Sequence, residues 1–426
     1  MERSDPRYQA YVGILKEELI PAMGCTEPIA LAYAAAKARE VLGVLPESVQ
    51  LQVSGSIIKN VKSVIVPNTG HLKGMEAAAA AGIIAGSAEK ELEVIAEVSA
   101  DKQAAIRDYL QTVPISIEHI EQGHVFDIIV TERCGQDYAR VRIADFHTNI
   151  CLIEKDGKVL YEKPLADEAV QESSRADRSL LNMKDIWEFA ETADLRDVAD
   201  LLERQIRYNN AIAEEGLLGD YGANIGRVLL STYGNDVSNR AKAKAAAGSD
   251  ARMNGCELPV IINSGSGNQG ITCSVPLIEY AKELHSGKEK LYRALIISNL
   301  VAIHEKTGIG TLSAYCGAVS AGAGAGAGIV YLCGDGYQAA IHTVVNALAI
   351  VSGIVCDGAK ASCAAKIASS VDAALLGYNM YKCNQEFKGG DGIVMKDIET
   401  TIKGIGRLGK DGMRQTNEEI IRLMMS

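Results

Sequence analysis

The chain has 426 residues, 47% of them hydrophobic and 23% charged, with a formal net charge of −11. That length is enough for two or three domains with a substantial core. The acidic balance, with no local basic run to offset it, disfavours a phosphate-backbone partner, so no nucleic-acid binding is expected.

The opening segment MERSDPRYQAYVGILKEEL carries charges throughout. It reads as no secretory signal, and a cytoplasmic location is expected. Residues 7–20 and 28–43 are predicted helical, broken at Pro21-Ala22-Met23-Gly24-Cys25. Thr26 is the expected N-cap, with Pro28 in the first turn, where its missing N–H does no harm.

From about residue 47 the texture changes. LQVSGSI, VKSVIVP, LEVIAEV, ISIEHIE, FDIIVTE, YARVRIA and NICLIEK are short, β-branched and partly alternating, as strands should be. Helical stretches interrupt them at 73–86 and 101–112. After 165 the strand signals largely stop. NMKDIWEFAETADLRDVADLLERQIRYNNAIAEE then repeats apolar residues every three or four positions, predicting one long helix or a helix pair.

AGAGAGAG at 321–328 lies between apolar stretches long enough for helices. A tightly packed helix is predicted there rather than a strand, although glycine costs helix stability. No Lys-Ser or Lys-Thr pair follows to make it a phosphate loop. Gly317–Cys333 and Ala339–Cys356 are short or polar beside the roughly 20 apolar residues of a membrane span, so buried helices and no membrane are expected. Apolar glycine-rich helices also suit a homodimer.

The expected fold class is α+β, a mostly helical catalytic domain plus a smaller α+β domain with a mixed or antiparallel sheet. Residues 1–46 would be N-terminal helices packing on the catalytic domain, 47–165 the α+β domain and 166–426 the helical domain.

Ten cysteines without an export signal read as reduced thiols, metal ligands or catalytic groups. Cys316 in SAYCGA, and Cys356 and Cys363 in IVCDGAKASCAAK, stand among small residues that leave room beside sulfur. Thiolates are the usual ligands of iron–sulfur clusters, and an ordinary cluster takes four. Three would leave one iron open as a Lewis acid. Spacing alone does not separate that role from small buried hydrophobes, and a zinc site would lack a close fourth His or Cys. Cys356 and Cys363 could share a helix face, or Asp357-Gly358 could open a turn before a new helix.

Cys25 immediately precedes a predicted helix, where the helix dipole would lower its pKa. It could equally sit in a small turn or serve as a fourth cluster ligand. NSGSGNQG, residues 263–270, offers Ser264, Ser266, Asn268 and Gln269, with glycines that permit close backbone approach to a carboxylate. An ordinary polar turn would look the same. His147 ends a predicted strand and could contact a carboxylate or shuttle a proton. His304 and His342 fall on apolar helical stretches, as satisfied core residues do. Lys360 and Lys366 flank Cys363 and could neutralise charge there, or simply be solvated as lysines on helices usually are. Cys134, Cys151, Cys256, Cys273, Cys333 and Cys383 are taken as packing residues.

PAMGCTEPIALAYAAAKARE, INSGSGNQGITCSVP, TGIGTLSAYCGA, CDGAKASCAAKIASS and FKGGDGIVMKDIETTIKGIGRLGKDGM resemble the L-cysteine desulfidase family, which is related to the α-chain of iron–sulfur L-serine dehydratases. The resemblance runs from residue 21 almost to the C-terminus. It implies a 4Fe–4S cluster held by Cys316, Cys356 and Cys363, with Cys25 as the base that removes the Cα proton and His147 near the substrate. The implied reaction is β-elimination of L-cysteine to sulfide and aminoacrylate, which hydrolyses to pyruvate and ammonia, in an oxygen-sensitive enzyme. The related dehydratases often end in a cysteine that reaches into the site. This chain ends Met424-Met425-Ser426, which leans towards the desulfidase branch. An L-serine dehydratase using the same open iron, and an amino-acid-binding or redox-sensing protein without turnover, are the competing readings. Pyridoxal phosphate is not expected, because no segment supplies both a Schiff-base lysine and a phosphate cup.

Overall fold

The computed structural model describes residues 1–121, 123–165, 175–310 and 313–425. The expected start of the helical domain at 166, part of TGIGTLSAYCGA and the terminal Ser426 lie outside them. Helix α1 (Pro6–Glu18) begins with a proline at its first position and is capped by Asp5, whose carboxylate accepts the Arg7 N–H at 2.9 Å. Its Tyr8 and Tyr11 meet Phe189 edge-on in the core of the helical half. Strand β1 (Pro21–Met23) follows, then α2 (Thr26–Leu42). The two N-terminal helices part company: α2 buries nearly all its sides in the core of the sheet half. The alanines of α2 leave no bulky side to face solvent, and two layers can close on it.

The sheet half contains β2 (Ser48–Ser54), α3 (Gly55–Val61), α4 (Gly74–Ala85), α5 (Ala100–Thr112), β3 (Ile115–Ile120), β4 (Asp127–Cys134), β5 (Asp137–Ala144), β6 (Ile150–Lys155) and β7 (Lys158–Glu162). Its six strands run in the order β3-β2-β4-β5-β6-β7. Only β2 and β3 pair in parallel, with Val49 opposite Ile115; the remaining neighbours are antiparallel. The sheet is therefore mixed, and the α+β expectation holds.

Two predicted strands are absent. VKSVIVP ends α3 and enters a turn in which the Val66 N–H meets the Leu72 carbonyl at 2.9 Å. LEVIAEV leaves a 3₁₀ segment with Val94 and Ile95 buried. In both, the β-branched residues fill the core from loops rather than from a ladder. LQVSGSI stops as a strand at Ser54 because Gly55 opens α3.

The helical half comprises α6 (Met183–Thr192), α7 (Ala199–Leu218), α8 (Ile225–Tyr233), α9 (Val237–Met253), β8 (Pro259–Ile261), α10 (Gly267–Glu283), α11 (Lys288–Ile309), α12 (Gly317–Cys333), α13 (Tyr337–Val351), α14 (Ser362–Lys382), α15 (Ile398–Arg407) and α16 (Arg414–Met425). The expected long helix or pair is the pair α6 and α7. Among the described residues no helix is long and apolar enough to cross a membrane.

The alternating run is helical and lies at the centre of this half, within α12. At 3.6 residues per turn, positions four apart share a face and positions two apart oppose each other. Gly322 and Gly326 therefore meet Ser370 and Ala374 of α14, while Gly324 and Gly328 meet Ser298 and Ala294 of α11. A Cβ on Gly324 would lie 2.4 Å from the Ser298 carbonyl. The period of two is a helix pressed from opposite sides.

A similar approach joins α2 to α4, where a Cβ on Gly82 would fall 2.1 Å from the Ala32 carbonyl oxygen. Gly82→Ala should lower unfolding free energy by about 1–3 kcal/mol through forced separation of the helices. Urea denaturation measures this; an unchanged midpoint would contradict so close a contact.

Candidate active site

The short ladder of β1 and β8, with Pro21 opposite Ile261, ties the segment before Cys25 to the one before Ser264. The Thr26 hydroxyl completes the tie by donating to the Gly265 carbonyl at 3.3 Å. Helix α2 starts at Thr26 with Cys25, not Thr26, as its N-cap, and the sulfur makes no capping bond. Cys25 instead donates to Glu27 Oε2 at 3.0 Å, where the Thr26 hydroxyl also donates at 3.1 Å. Glu27 Oε1 accepts from the Asn60 amide of α3 at 3.1 Å. Burial, and then the adjacent Glu27 charge, raise the Cys25 pKa well above its ordinary value. The expected depression by the helix dipole is thus overturned: desolvation and a carboxylate at hydrogen-bond distance outweigh half a charge at the helix end.

The loop 263–266 is strained and firmly held. Ser264 has φ 49°, left-handed for a residue with a side chain. Its hydroxyl donates to Asn263 Oδ1 at 2.9 Å, and the Asn263 amide donates to Asn299 Oδ1 at 3.0 Å. Asn299 exchanges two amide hydrogen bonds with Gln205. Ser266 caps α10 by accepting the Gln269 N–H at 3.5 Å. Asn268 Oδ1 accepts from the Arg252 guanidinium at 3.2 Å. Gln269 is buried against Gly317, its Oε1 without a partner among the described residues. His147 stands over this loop: a Cβ on Gly265 would lie 3.9 Å from its Cε1. The imidazole packs edge-on to Phe126, its Nε2 is buried and unpartnered among the described residues, and burial holds its pKa below the ordinary value.

Cys316 is the N-cap of α12, and its strand-like approach pairs with the segment before Cys356. The Cys316 N–H reaches the Ile354 carbonyl at 3.1 Å, and the Cys356 N–H reaches Ala314 at 2.6 Å. Cys356 lies beyond the end of α13, so the helix predicted to run through it stops at Val351. Gly358, at φ +94°, then turns the chain, and α14 starts just before Cys363. The turn alternative for Cys356 and Cys363 is the one adopted. Cys363 packs in a small cluster with Cys25, Val64 and Met253. Burial, followed by the neighbouring Cys356, pushes the Cys316 thiol up to about 12, and the same two causes raise Cys363.

Cationic groups face these sulfurs. Lys59 is 1% exposed and donates to Asn417 Oδ1 of α16 at 2.6 Å. Burial lowers its pKa, while Cys356 and Glu27 pull it up. Burial also brings Lys306 down to about 8 against the opposing pull of Cys356 and Cys316. Lys366 pairs with Asp357, which outweighs burial and raises it. Lys360 also turns to Asp357. His304 is satisfied by Glu399 at 2.8 Å, and His342 pairs with Glu386 and stacks on Tyr381. Beside the loop and Lys306, a cleft of about 2100 Å³ opens between the two halves.

A family model described as serine dehydratase alpha chain matches residues 89–422. The chain belongs to that family. It is also similar over its whole length to a UPF0597 protein of Desulfitobacterium hafniense, 61% identical over 426 residues, covering 100% of this chain and 99% of that one. UPF0597 proteins of Lachnoclostridium phytofermentans (52%, covering 98% and 100%) and Treponema denticola (46%, covering 100% of each) match likewise.

For a serine dehydratase alpha-chain relative, the cluster implied by resemblance can be tested on the donor set. Among the described residues no three His, Cys, Asp or Glu side chains stand close enough to hold a single metal ion. Cys356 is nonetheless near enough to raise both Cys316 and Cys363, and Cys363 near enough to raise Cys316, an arrangement that suits a multi-iron cage rather than one ion. Lysines offset the charge three thiolates would carry. The residues fit such a group.

Glu27, Lys59, Asn60, Arg252 and Lys306 were not singled out from sequence. The one available signal, for Arg252 alone, lay in AAAGSDARM: the small residues at this helix end are buried on all sides, so the charges among them are buried too. Native-state alkylation at neutral pH should modify exposed Cys383 before Cys25. Peptide mapping after iodoacetamide treatment checks the order, and Cys25 labelling first would restore the low-pKa reading.

Proposed function

We propose that this protein is a cytoplasmic, oxygen-sensitive L-cysteine desulfidase. It would eliminate sulfide from L-cysteine and release aminoacrylate, which water converts to pyruvate and ammonia. The observation that carries the reading is the contact cluster joining Cys25, bonded to Glu27, with Cys363 of the three-thiol set. Base and leaving-group chemistry then fall within one substrate's length. Cys316, Cys356 and Cys363 would hold a 4Fe–4S cluster, which when bound supplies a Lewis-acid iron for the leaving sulfur.

The remaining work falls to side chains. The Cys25 thiol can pass its proton to Glu27 Oε2 along their hydrogen bond, and the resulting thiolate takes the Cα proton. The electron pair of the broken C–H bond forms the C=C bond as the C–S bond breaks. Asn60 keeps Glu27 turned towards Cys25. The backbone of the loop bearing Ser264 and Ser266, with the side chains of Asn268 and Gln269, surrounds the amino acid. His147, neutral and with a free Nε2, receives or returns a proton at the substrate's polar end. Lys59, Lys306 and Lys366 balance negative charge at the sulfurs.

The family description favours a second reading, dehydration of L-serine, in which the same groups act and hydroxide leaves. Anaerobic, iron-reconstituted protein given each amino acid separates them. Sulfide and pyruvate in equal amounts from L-cysteine, with kcat/KM at least roughly tenfold above that for L-serine, are expected. Pyruvate from L-serine alone would establish the dehydratase, and neither product with retained binding would favour a sensor.

Replacing Cys316, Cys356 or Cys363 by Ser should remove iron and the brown absorbance. Cys25→Ser should keep iron and lower kcat by about 10²–10⁴-fold, as loss of a positioned base does. Iron loss in that variant would make Cys25 a ligand.

A further inference from the structure

Helix α9 is buried throughout its second half and carries Arg252 in its last turn, 3% exposed. Its surroundings are unusual for a structural arginine. Nη1 donates to Asn268 Oδ1 at 3.2 Å; among the described residues Nε is buried without a partner and no carboxylate forms an ion pair with the guanidinium. A buried guanidinium ordinarily has its donors consumed and its charge matched, because leaving either undone is costly.

The chain has made room for this one. Gly267, the first residue of α10, presents no side chain, and a Cβ there would lie 2.3 Å from Arg252 Nε. The guanidinium therefore rests against the helix start that follows the strained Ser264 loop. Its positive charge is felt by both Cys25 and His147, so it lies within electrostatic reach of the proposed base and of the imidazole.

We propose that Arg252 is the residue that binds the substrate's α-carboxylate, with Asn268 holding the guanidinium in place and Gly267 giving it space. A planar fork of N–H donors matches a carboxylate in two parallel hydrogen bonds, and the pairing strengthens away from water. The same charge repels an ammonium group, so the amino acid enters in one orientation, with its carboxylate at Arg252 and its Cα towards Cys25. The inference rests on the amino-acid elimination proposed above for the identity of the ligand.

The test uses holo-protein under anaerobic conditions and two unreactive probes, L-alanine and L-alaninamide, which differ only in the carboxylate. Titration calorimetry on wild type and Arg252→Gln should show L-alanine weakened roughly 10- to 100-fold and L-alaninamide changed less than about threefold. KM for L-cysteine should rise in step, with kcat nearly unchanged, as loss of uniform binding requires. Arg252→Lys keeps the charge, guards against a misfolded glutamine variant, and should give an intermediate loss for L-alanine alone.

L-Alanine bound equally well by wild type and both variants would overturn the assignment. Parallel weakening of the two probes, or no L-alanine binding by wild type, would overturn it as well. Carboxylate-dependent loss in a protein that releases no sulfide from L-cysteine would uphold Arg252 and sink the desulfidase reading alone.

Discussion

Backbone touching backbone around α12 is the contact on which the helical half is built. Its glycines admit α11 and α14 on opposite sides at distances a methyl group would forbid. A helix gripped in this way cannot slide or rotate without several carbonyls colliding. The grip fixes its first turn, and with it Cys316 at the N-cap. Because α14 is the other jaw, the start of that helix and Cys363 are fixed by the same packing. Two of the three sulfurs are thus located by small residues lying well along the helices from them.

The site itself is a balance of buried charge. Glu27 and the three-thiol set face Lys59, Lys306 and Lys366, while Arg252 stands near Cys25 and His147. Lys59, Glu27 and Arg252 are too deep for water to screen them well, whereas Lys306 and Lys366 are only partly buried. The protonation of Cys25 follows from this balance rather than from its place at a helix start. A buried thiol beside a carboxylate holds its proton, yet the hydrogen bond to Glu27 gives that proton somewhere to go.

Much of this was legible from residue order. The change from β-branched alternation to three- and four-residue steps separates the two halves, and the AGAGAGAG run is a helix. Strand prediction failed where it had only composition to use. Val64, Val66, Val94 and Ile95 are core residues carried on turns, and a turn closed by only a couple of backbone bonds leaves no periodic trace. The exposed strand β7 has no buried face to create alternation. The cysteines and the SGSGN loop stand out by spacing and glycine content. Glu27, Asn60 and Arg252 do not, because a single polar residue acquires its meaning from partners far away in the chain.

The last helix joins these themes. α16 lies against α3: Asn417 receives Lys59, the Met424 carbonyl receives Lys62, and Ile421 covers Gly55. It acts as a peg between the halves, directly behind the lysine that faces the thiols. Loss of that peg would be felt first as a disturbed electrostatic setting for sulfur, well before either core loosened. The docking of this helix and chemical competence are therefore wired to the same few side chains.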